Sequence, residues 1–230
     1  THFSVETTKQ NIHNQKSSGR CWLFSGLNVL RSNFARNHKD TLRVELSHVY
    51  LSFHDQLEKA NLMLQGVIDN ANKPMDDPMV QFFFKSPIGD GGTFCGVADL
   101  VDKYGLVPME VMPESYSAEN TSRMASIISS KLREYGLELR KMVANKKAAA
   151  AIKARKTEML GDIYHILTLA LGEPVKTFEY AFKDKNGNSV GKPKTYTPQT
   201  FRDEVVGRKL NGTFIMAMND PRREYYKTYE

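Results

Sequence analysis

Cys21 and Gln15 are the residues of this 230-residue chain whose types and spacing could do chemistry. They lie in Asn14-Gln15-Lys16-Ser17-Ser18-Gly19-Arg20-Cys21-Trp22-Leu23-Phe24, which reads as a loop running into a helix with the cysteine at its opening. A helix N-terminus carries partial positive charge and N–H groups that lack intrahelical partners. A thiol placed there is favoured as thiolate, the form that attacks carbonyl carbon. Gln15 lies six positions upstream, and its side-chain amide can reach back over the sulfur and donate to the oxyanion that the attack creates. Trp22 and Phe24 suit the anchoring of that helix start in a core. The segment thus offers a nucleophile, an activating dipole and an oxyanion donor. That combination favours acyl transfer over the burial usual for an isolated cysteine.

Thiol acyl transfer also needs a base to take the thiol proton and return it to the leaving amine, and histidine oriented by Asn or Asp is the usual choice. The candidates are His2, His13, His38, His48, His54 and His165. His13 is two residues before Gln15 and so near the site by sequence alone. His38 and His54 read as polar helix positions, and His48 follows a helix cap. His165 sits in an amphipathic helix, Asp162-Ile163-Tyr164-His165-Ile166-Leu167, where a lone histidine serves packing or solvent contact rather than catalysis. The histidines are scattered and no Cys-x-x-Cys occurs, so a metal site is not expected. Gly89-Asp90-Gly91-Gly92 lacks the Lys-Ser/Thr of a phosphate-binding loop. No cofactor is expected.

The elements that must position these residues follow from periodicity and punctuation. Cys21 to about Asn37 reads as a helix with Phe24, Leu27, Leu30, Arg31 and Phe34 on one face, ended by His38-Lys39-Asp40. Ser47 caps a second helix that turns Val49, Tyr50, Phe53, Leu57, Ala60 and Leu64 inward. Met79 to Phe84 forms a short apolar helix that ends before Pro87. Ile88 to Gly92 is a glycine-rich turn, and the helix after it, with Cys95 as a buried structural thiol, stops at Gly105. Ser117 to Leu171 is mostly helical, with Met124, Ile127, Ile128, Leu132, Tyr135, Leu139 and Met142 on one face. After Pro174, Val175 to Phe182 alternates as a strand, Lys185-Asn186-Gly187-Asn188 turns it, and Lys194-Thr195-Tyr196 pairs back. Thr197 caps a helix that has Pro198 at its first position. Short strands are expected at Phe3-Ser4-Val5 and at Thr213-Phe214-Ile215-Met216-Ala217-Met218, the latter buried.

Composition is that of an ordinary globular chain, 40% hydrophobic, with no apolar run long enough to span a membrane. Cys21 and Cys95 do not make a disulfide framework, and free thiols suit a reducing, cytoplasmic setting. The net charge of +6 permits but does not demand contact with nucleic acid. Lys131, Arg133, Arg140, Lys141, Lys146, Lys147, Lys153, Arg155 and Lys156 concentrate it in one region, read as a solvated helical face in preference to a nucleic-acid-binding patch.

The segment around Cys21 resembles the active-site motif of papain-like cysteine peptidases, with the signature Cys-Gly-Ser/Ala-Cys-Trp/Tyr. Here it reads Ser18-Gly19-Arg20-Cys21-Trp22. Ser18 replaces the first cysteine, and Arg20 the small residue before the nucleophile. Those departures are similar to the bleomycin hydrolase and aminopeptidase C group. Further matching runs are Glu45-Leu46-Ser47, Leu57-Glu58-Lys59-Ala60-Asn61, Asp90-Gly91-Gly92, Lys103-Tyr104-Gly105-Leu106-Val107-Pro108, Met112-Pro113-Glu114-Ser115-Tyr116-Ser117 and Lys131-Leu132-Arg133-Glu134. Pro198-Gln199 and Asn219-Asp220-Pro221 complete the resemblance.

The resemblance implies an α+β, papain-like fold. Its parts would be a nucleophile-bearing helical domain over 1–116, a helical insertion over 117–172 and the beginning of an antiparallel β domain over 173–230. It implies a cysteine-type aminopeptidase acting on peptide substrates, with Cys21 and Gln15 catalytic and Gly91 and Gly92 pairing with substrate main chain. It also implies a hexameric barrel. The catalytic His and Asn of that group, which lie in its second half, and its N-terminal arm have no counterpart in these residues, so the chain reads as truncated at both ends. The alternatives are a nucleic-acid-binding protein or a catalytically silent scaffold of the same fold.

Overall fold

The computed structural model describes residues 2, 6, 7, 9–215 and 222–227. Its first helix, α1 (Cys21–Asn37), begins at the cysteine and buries Phe24, Leu27, Leu30, Arg31 and Phe34, the face expected from spacing. Next come β1 (Leu42–Arg43) and α2 (His48–Asp69). The Ser47 hydroxyl accepts from Tyr50 N at 3.2 Å and donates to the Met112 carbonyl at 2.6 Å, so one side chain both starts α2 and pins it to a distant loop. Helix α2 is the centre of the core. Val49, Leu51, Phe53, Ala60 and Leu64 are fully buried, and α1 and the later helices Phe94–Tyr104, Ser122–Ala144 and Ala149–Leu171 all pack on it.

Helix α3 (Pro78–Lys85) opens with Asp77 accepting from Met79 N and Val80 N and with Pro78 in its first turn. After the Ile88–Gly92 loop comes α4 (Phe94–Tyr104), ended by Gly105 at φ +84°. A side chain at Gly105 would be strained by that angle and would meet the Pro198 carbonyl at 2.3 Å. Leu106 N donates to the same carbonyl at 2.9 Å, so the glycine lets the later chain dock on the end of α4. The short α5 (Tyr116–Glu119) leads into a helical hairpin, α6 (Ser122–Ala144) and α7 (Ala149–Leu171). Tyr135 donates to Asp162 across the hairpin, and Arg155 donates to Glu138 at 2.7 and 3.2 Å. Ile127 is half exposed, so the buried face of α6 is narrower than its apolar pattern.

Beyond α7, β2 (Phe178–Tyr180) pairs antiparallel with β4 (Lys194–Tyr196), with Phe178 opposite Tyr196 and Tyr180 opposite Lys194. Between them β3 (Lys183–Asp184) pairs with β1. Helix α8 (Pro198–Val206) follows, opened by Thr197 and Thr200 bonding reciprocally as a capping box. Phe178, Tyr180, Phe182 and Tyr196 cluster around Phe201, and Phe182 stacks on Phe34 at 4.9 Å, which seats the β segment against α1. The structure is therefore α+β. No helix among the described residues is long and apolar enough to cross a membrane.

The expected buried strand at Thr213 to Met218 is not found where it is described. Residues 213–215 form no strand and Ile215 is 95% exposed. Met216, Ala217 and Met218 lie outside the described residues, as do Phe3, Ser4, Val5 and Asn219-Asp220-Pro221. An apolar run signals burial only if a partner surface reaches it, and none does here at Ile215.

Candidate active site

Cys21 is the first residue of α1, and it is exposed. The loop before it is held from below by Arg20, which is only 2% exposed. Its guanidinium donates to both Glu114 oxygens, at 3.3 and 2.7 Å, and through Nε to Ser18 Oγ at 3.0 Å. Ser18 Oγ in turn donates to the Gln15 carbonyl at 2.7 Å. Arg20 thus anchors the turn that joins the oxyanion candidate to the nucleophile. Lys16 adopts φ +55°, and the Asn14 side chain accepts from its N–H at 2.8 Å, which stabilises this left-handed position. The Gln15 amide oxygen is buried with no partner, and its amide nitrogen has no hydrogen bond among the described residues.

Gly91 and Gly92 are brought to the same place. A Cβ on Gly92 would meet the Trp22 indole at 2.5 Å, and the Trp22 Nε1–H donates to the Asp90 carbonyl at 2.6 Å. Around Gly91 a Cβ would meet nothing within 4 Å, so this edge faces open space. Lys59 lies behind it, donating to the Gly89 and Gly91 carbonyls at 2.7 Å each. Sequence reasoning assigned no function to Lys59, Arg20 or Glu114. The signal available was a charged residue inside each matching run.

The segment leading to Gln15 rests on a second buried cluster. Arg31, 1% exposed on the apolar face of α1, donates to Asn28, to the carbonyls of Val44 and Asn11, and pairs with Glu45 at 2.6 Å. Glu45 also binds His13 Nε2 at 3.0 Å and Asn11 Nδ2 at 3.0 Å. Burial alone would push the Glu45 carboxyl up, but the His13 hydrogen bond and the Arg31 charge hold it below its ordinary value. His13 is therefore a structural partner of Glu45.

The other histidines also have structural settings. His48 stacks on Phe24 at 3.7 Å, with both ring nitrogens buried and without hydrogen bonds. Burial, reinforced by the charges of His13, Arg20 and Arg31, pushes its pKa down to about 3. His54 corrects the expectation of a polar helix position. It stacks on Tyr104 at 3.9 Å, with both nitrogens buried, and burial drives its pKa to about 4 against the opposing charge of Glu58. His38 binds the Phe34 carbonyl at the end of α1. Cys95 is half-buried on α4, not fully buried. Among the described residues no histidine hydrogen-bonds the Cys21 thiol.

Two depressed histidines make stability depend on pH. The native state holds both neutral, whereas the unfolded chain binds protons as pH falls below 6.5. Stability is full above that value and is lost towards about 4 for His54 and about 3 for His48. The melting temperature should therefore begin to fall below pH 6.5, before carboxylates of ordinary pKa 4.5 titrate. His54→Leu should flatten that slope, and a level melting temperature between pH 6.5 and 5 would contradict the burial argument.

The basic residues of α6 and α7 are largely used within the protein. Arg133 donates to the Phe84 and Lys85 carbonyls, Arg140 to Asn70 and Lys73, Arg155 to Glu138 and Glu158, and Lys156 to Gln65. This favours a helical face over a nucleic-acid patch.

A cysteine opening a helix, a glutamine upstream and a glycine edge beside it can also arise by convergence, so descent needs its own test. A family model described as the Peptidase C1-like family matches residues 1–230. The chain belongs to that family. Aminopeptidase G of Lactobacillus delbrueckii subsp. lactis is 41% identical over 227 residues, covering 99% of this chain and 51% of the relative. Human bleomycin hydrolase is 38% identical over 225 residues, covering 95% of this chain and 49% of the relative. The crystal structure of PepW from Lactobacillus rhamnosis HN001 superposes with a TM-score of 0.84 at 37% identity, covering 91% of this chain and 47% of that one. The fold is thus the papain-like α+β fold of this peptidase family. The chain spans about half the length of the relatives it matches.

Proposed function

We propose that this chain carries the nucleophile, the oxyanion donor and one substrate edge of a cysteine aminopeptidase. The observation that supports the reading is exposed Cys21 at the first position of α1, with Gln15 in the loop before it and Gly92 against Trp22. The names of the relatives, aminopeptidase and bleomycin hydrolase, supply the substrate class.

The Cys21 thiolate attacks the scissile carbonyl, and the Gln15 amide with the Cys21 backbone N–H receives the oxyanion. Collapse expels the amine and leaves a thioester, which water then hydrolyses. Gly91 and Gly92 offer main-chain groups to an extended substrate. The base that shuttles the proton, and the Asn that orients it, come in this reading from residues outside these 230. The structural roles of His13, His38, His48 and His54 support that assignment. The same reading divides the chain into the nucleophile domain over 1–116, the helical insertion over 117–172 and a β domain beginning at 173, supported by the α6–α7 hairpin. A cysteine count of two, too few for a disulfide framework, supports a reducing, cytoplasmic setting in the same reading. A hexamer is supported by the family resemblance alone.

The test is hydrolysis of an aminoacyl fluorophore by the full-length protein, with and without iodoacetamide. Hydrolysis should be abolished by alkylation, and an N-acetylated substrate should be cut poorly. Equal cleavage of free and blocked termini would replace the aminopeptidase reading by an endopeptidase one, and no cleavage would favour a silent scaffold.

A further inference from the structure

We propose that Asp90 is a positioning residue that locks the nucleophile loop to the substrate edge, an inference that rests on the peptidase reading above. One of its carboxylate oxygens, Oδ2, accepts from Gly19 N at 2.9 Å and from Thr121 Oγ1 at 2.6 Å. Gly19 lies two residues before Cys21, and Thr121 immediately precedes α6 without capping it through its side chain. A single oxygen therefore joins the loop that presents the thiol, the glycine edge and the entrance to the helical hairpin. A carboxylate that merely shaped its own turn would bond backbone two or three residues away. Asp90 instead bonds a group 71 positions distant, on the loop before the nucleophile.

The rest of the edge is tied down in the same direction. The Asp90 carbonyl takes the Trp22 indole N–H, and the carbonyls of Gly89 and Gly91 take the Lys59 ammonium, with Gln56 Nε2 adding a 3.2 Å bond to Gly89. Lys59 is itself fixed by Asp55 at 2.6 Å. Gly19 has no room for a side chain, since a Cβ there would lie 2.9 Å from the Asp90 Cβ. The loop and the edge therefore touch and are bonded to each other, while the Gly91 side stays open to solvent. Bonds to a carboxylate or from an ammonium are charge-assisted and stronger than neutral ones, so Asp90 and Lys59 make the strongest of these ties, and Asp90 is the one that reaches the loop before Cys21. Acyl transfer needs thiol and carbonyl held in near-attack geometry, and a displacement of about 1 Å can cost on the order of a hundredfold in rate. Asp90 fixes the distance between the atom that attacks and the edge that holds the substrate.

The experiment is steady-state hydrolysis of an aminoacyl fluorophore and a tripeptide by the full-length enzyme carrying Asp90→Ala, Asp90→Asn or Thr121→Val, each checked by circular dichroism and thermal melting. Asp90→Ala should lose about tenfold or more in kcat/KM, with kcat falling and KM rising because loop and edge loosen together. Asp90→Asn keeps an acceptor oxygen of the same shape and should recover most of that loss. Thr121→Val removes one of the two donors and should cost about threefold, as expected for one hydrogen bond. A folded Asp90→Ala enzyme with unchanged kcat/KM overturns the proposal, as does a loss no greater than its loss of folded fraction. If Asp90→Ala does not fold, an unchanged kcat/KM in Thr121→Val overturns it instead. An inactive wild type would fail the peptidase reading itself, whereas an active wild type indifferent to these changes fails only the role of Asp90.

Discussion

Cys21→Ala in the full-length enzyme should lower kcat by at least about four orders of magnitude, the scale on which removal of a covalent nucleophile acts. The fold should not notice the change. Cys21 is exposed at the first position of α1, makes no hydrogen bond among the described residues, and is replaced by the best helix former. Substrate binding should persist, because Gly91, Gly92 and the bonds behind them do not involve the sulfur. The expected result is therefore a stable protein that binds peptide and does not cut it, read by thermal melting, inhibitor titration and turnover. Cys95→Ala is the matching control. That thiol is half-buried in the first turn of α4, and its removal should leave kcat/KM within about twofold while costing some packing energy. Loss of activity in Cys95→Ala with retention in Cys21→Ala would reverse the assignment.

Gln15→Ala should cost about a hundred- to a thousandfold in kcat, the range measured when one oxyanion donor is removed. Most of the effect belongs in kcat, because the oxyanion exists only as the carbonyl is attacked. Stability gives a second, independent reading. The Gln15 amide oxygen is buried and unpartnered, so alanine removes an unsatisfied polar atom and should not lower the melting temperature. A mere loop-packing role would show the opposite pattern, a lower melting temperature with kcat preserved. Gln15→Glu should be at least as damaging as alanine, since it places negative charge where negative charge develops.

Most of the helical scaffold could be read from the chain because its signals are local. The face of α1 repeats at helical spacing, Ser47 and Thr197 cap their helices, and Gly105 stops α4. Cys21 was legible as a helix-opening thiol for the same reason. The strand expected at 213–218 does not form over its described part, 213–215, because an apolar run carries no record of whether another surface will cover it, and Ile215 is bare. His54 was misread because its neighbours in sequence are mixed, while Tyr104, which covers its ring, is 50 positions away. The ties formed by Asp90 and Arg20 were invisible on similar grounds. Their partners Gly19, Thr121 and Glu114 come from separate segments, and only the fold brings them together. Arg31 could have been suspected. A guanidinium on an otherwise apolar stripe demands a buried partner, and Glu45 is that partner.

The central claim is that the Cys21 sulfur becomes acylated during turnover. The most direct measurement is mass spectrometry of the full-length enzyme, acid-quenched during hydrolysis of an aminoacyl ester and then digested. The account predicts an aminoacyl adduct on the peptide that carries Cys21, absent from Cys21→Ala and lost when substrate is exhausted. Sustained turnover with the adduct on another residue, or in an enzyme whose Cys21 is fully alkylated, would contradict it.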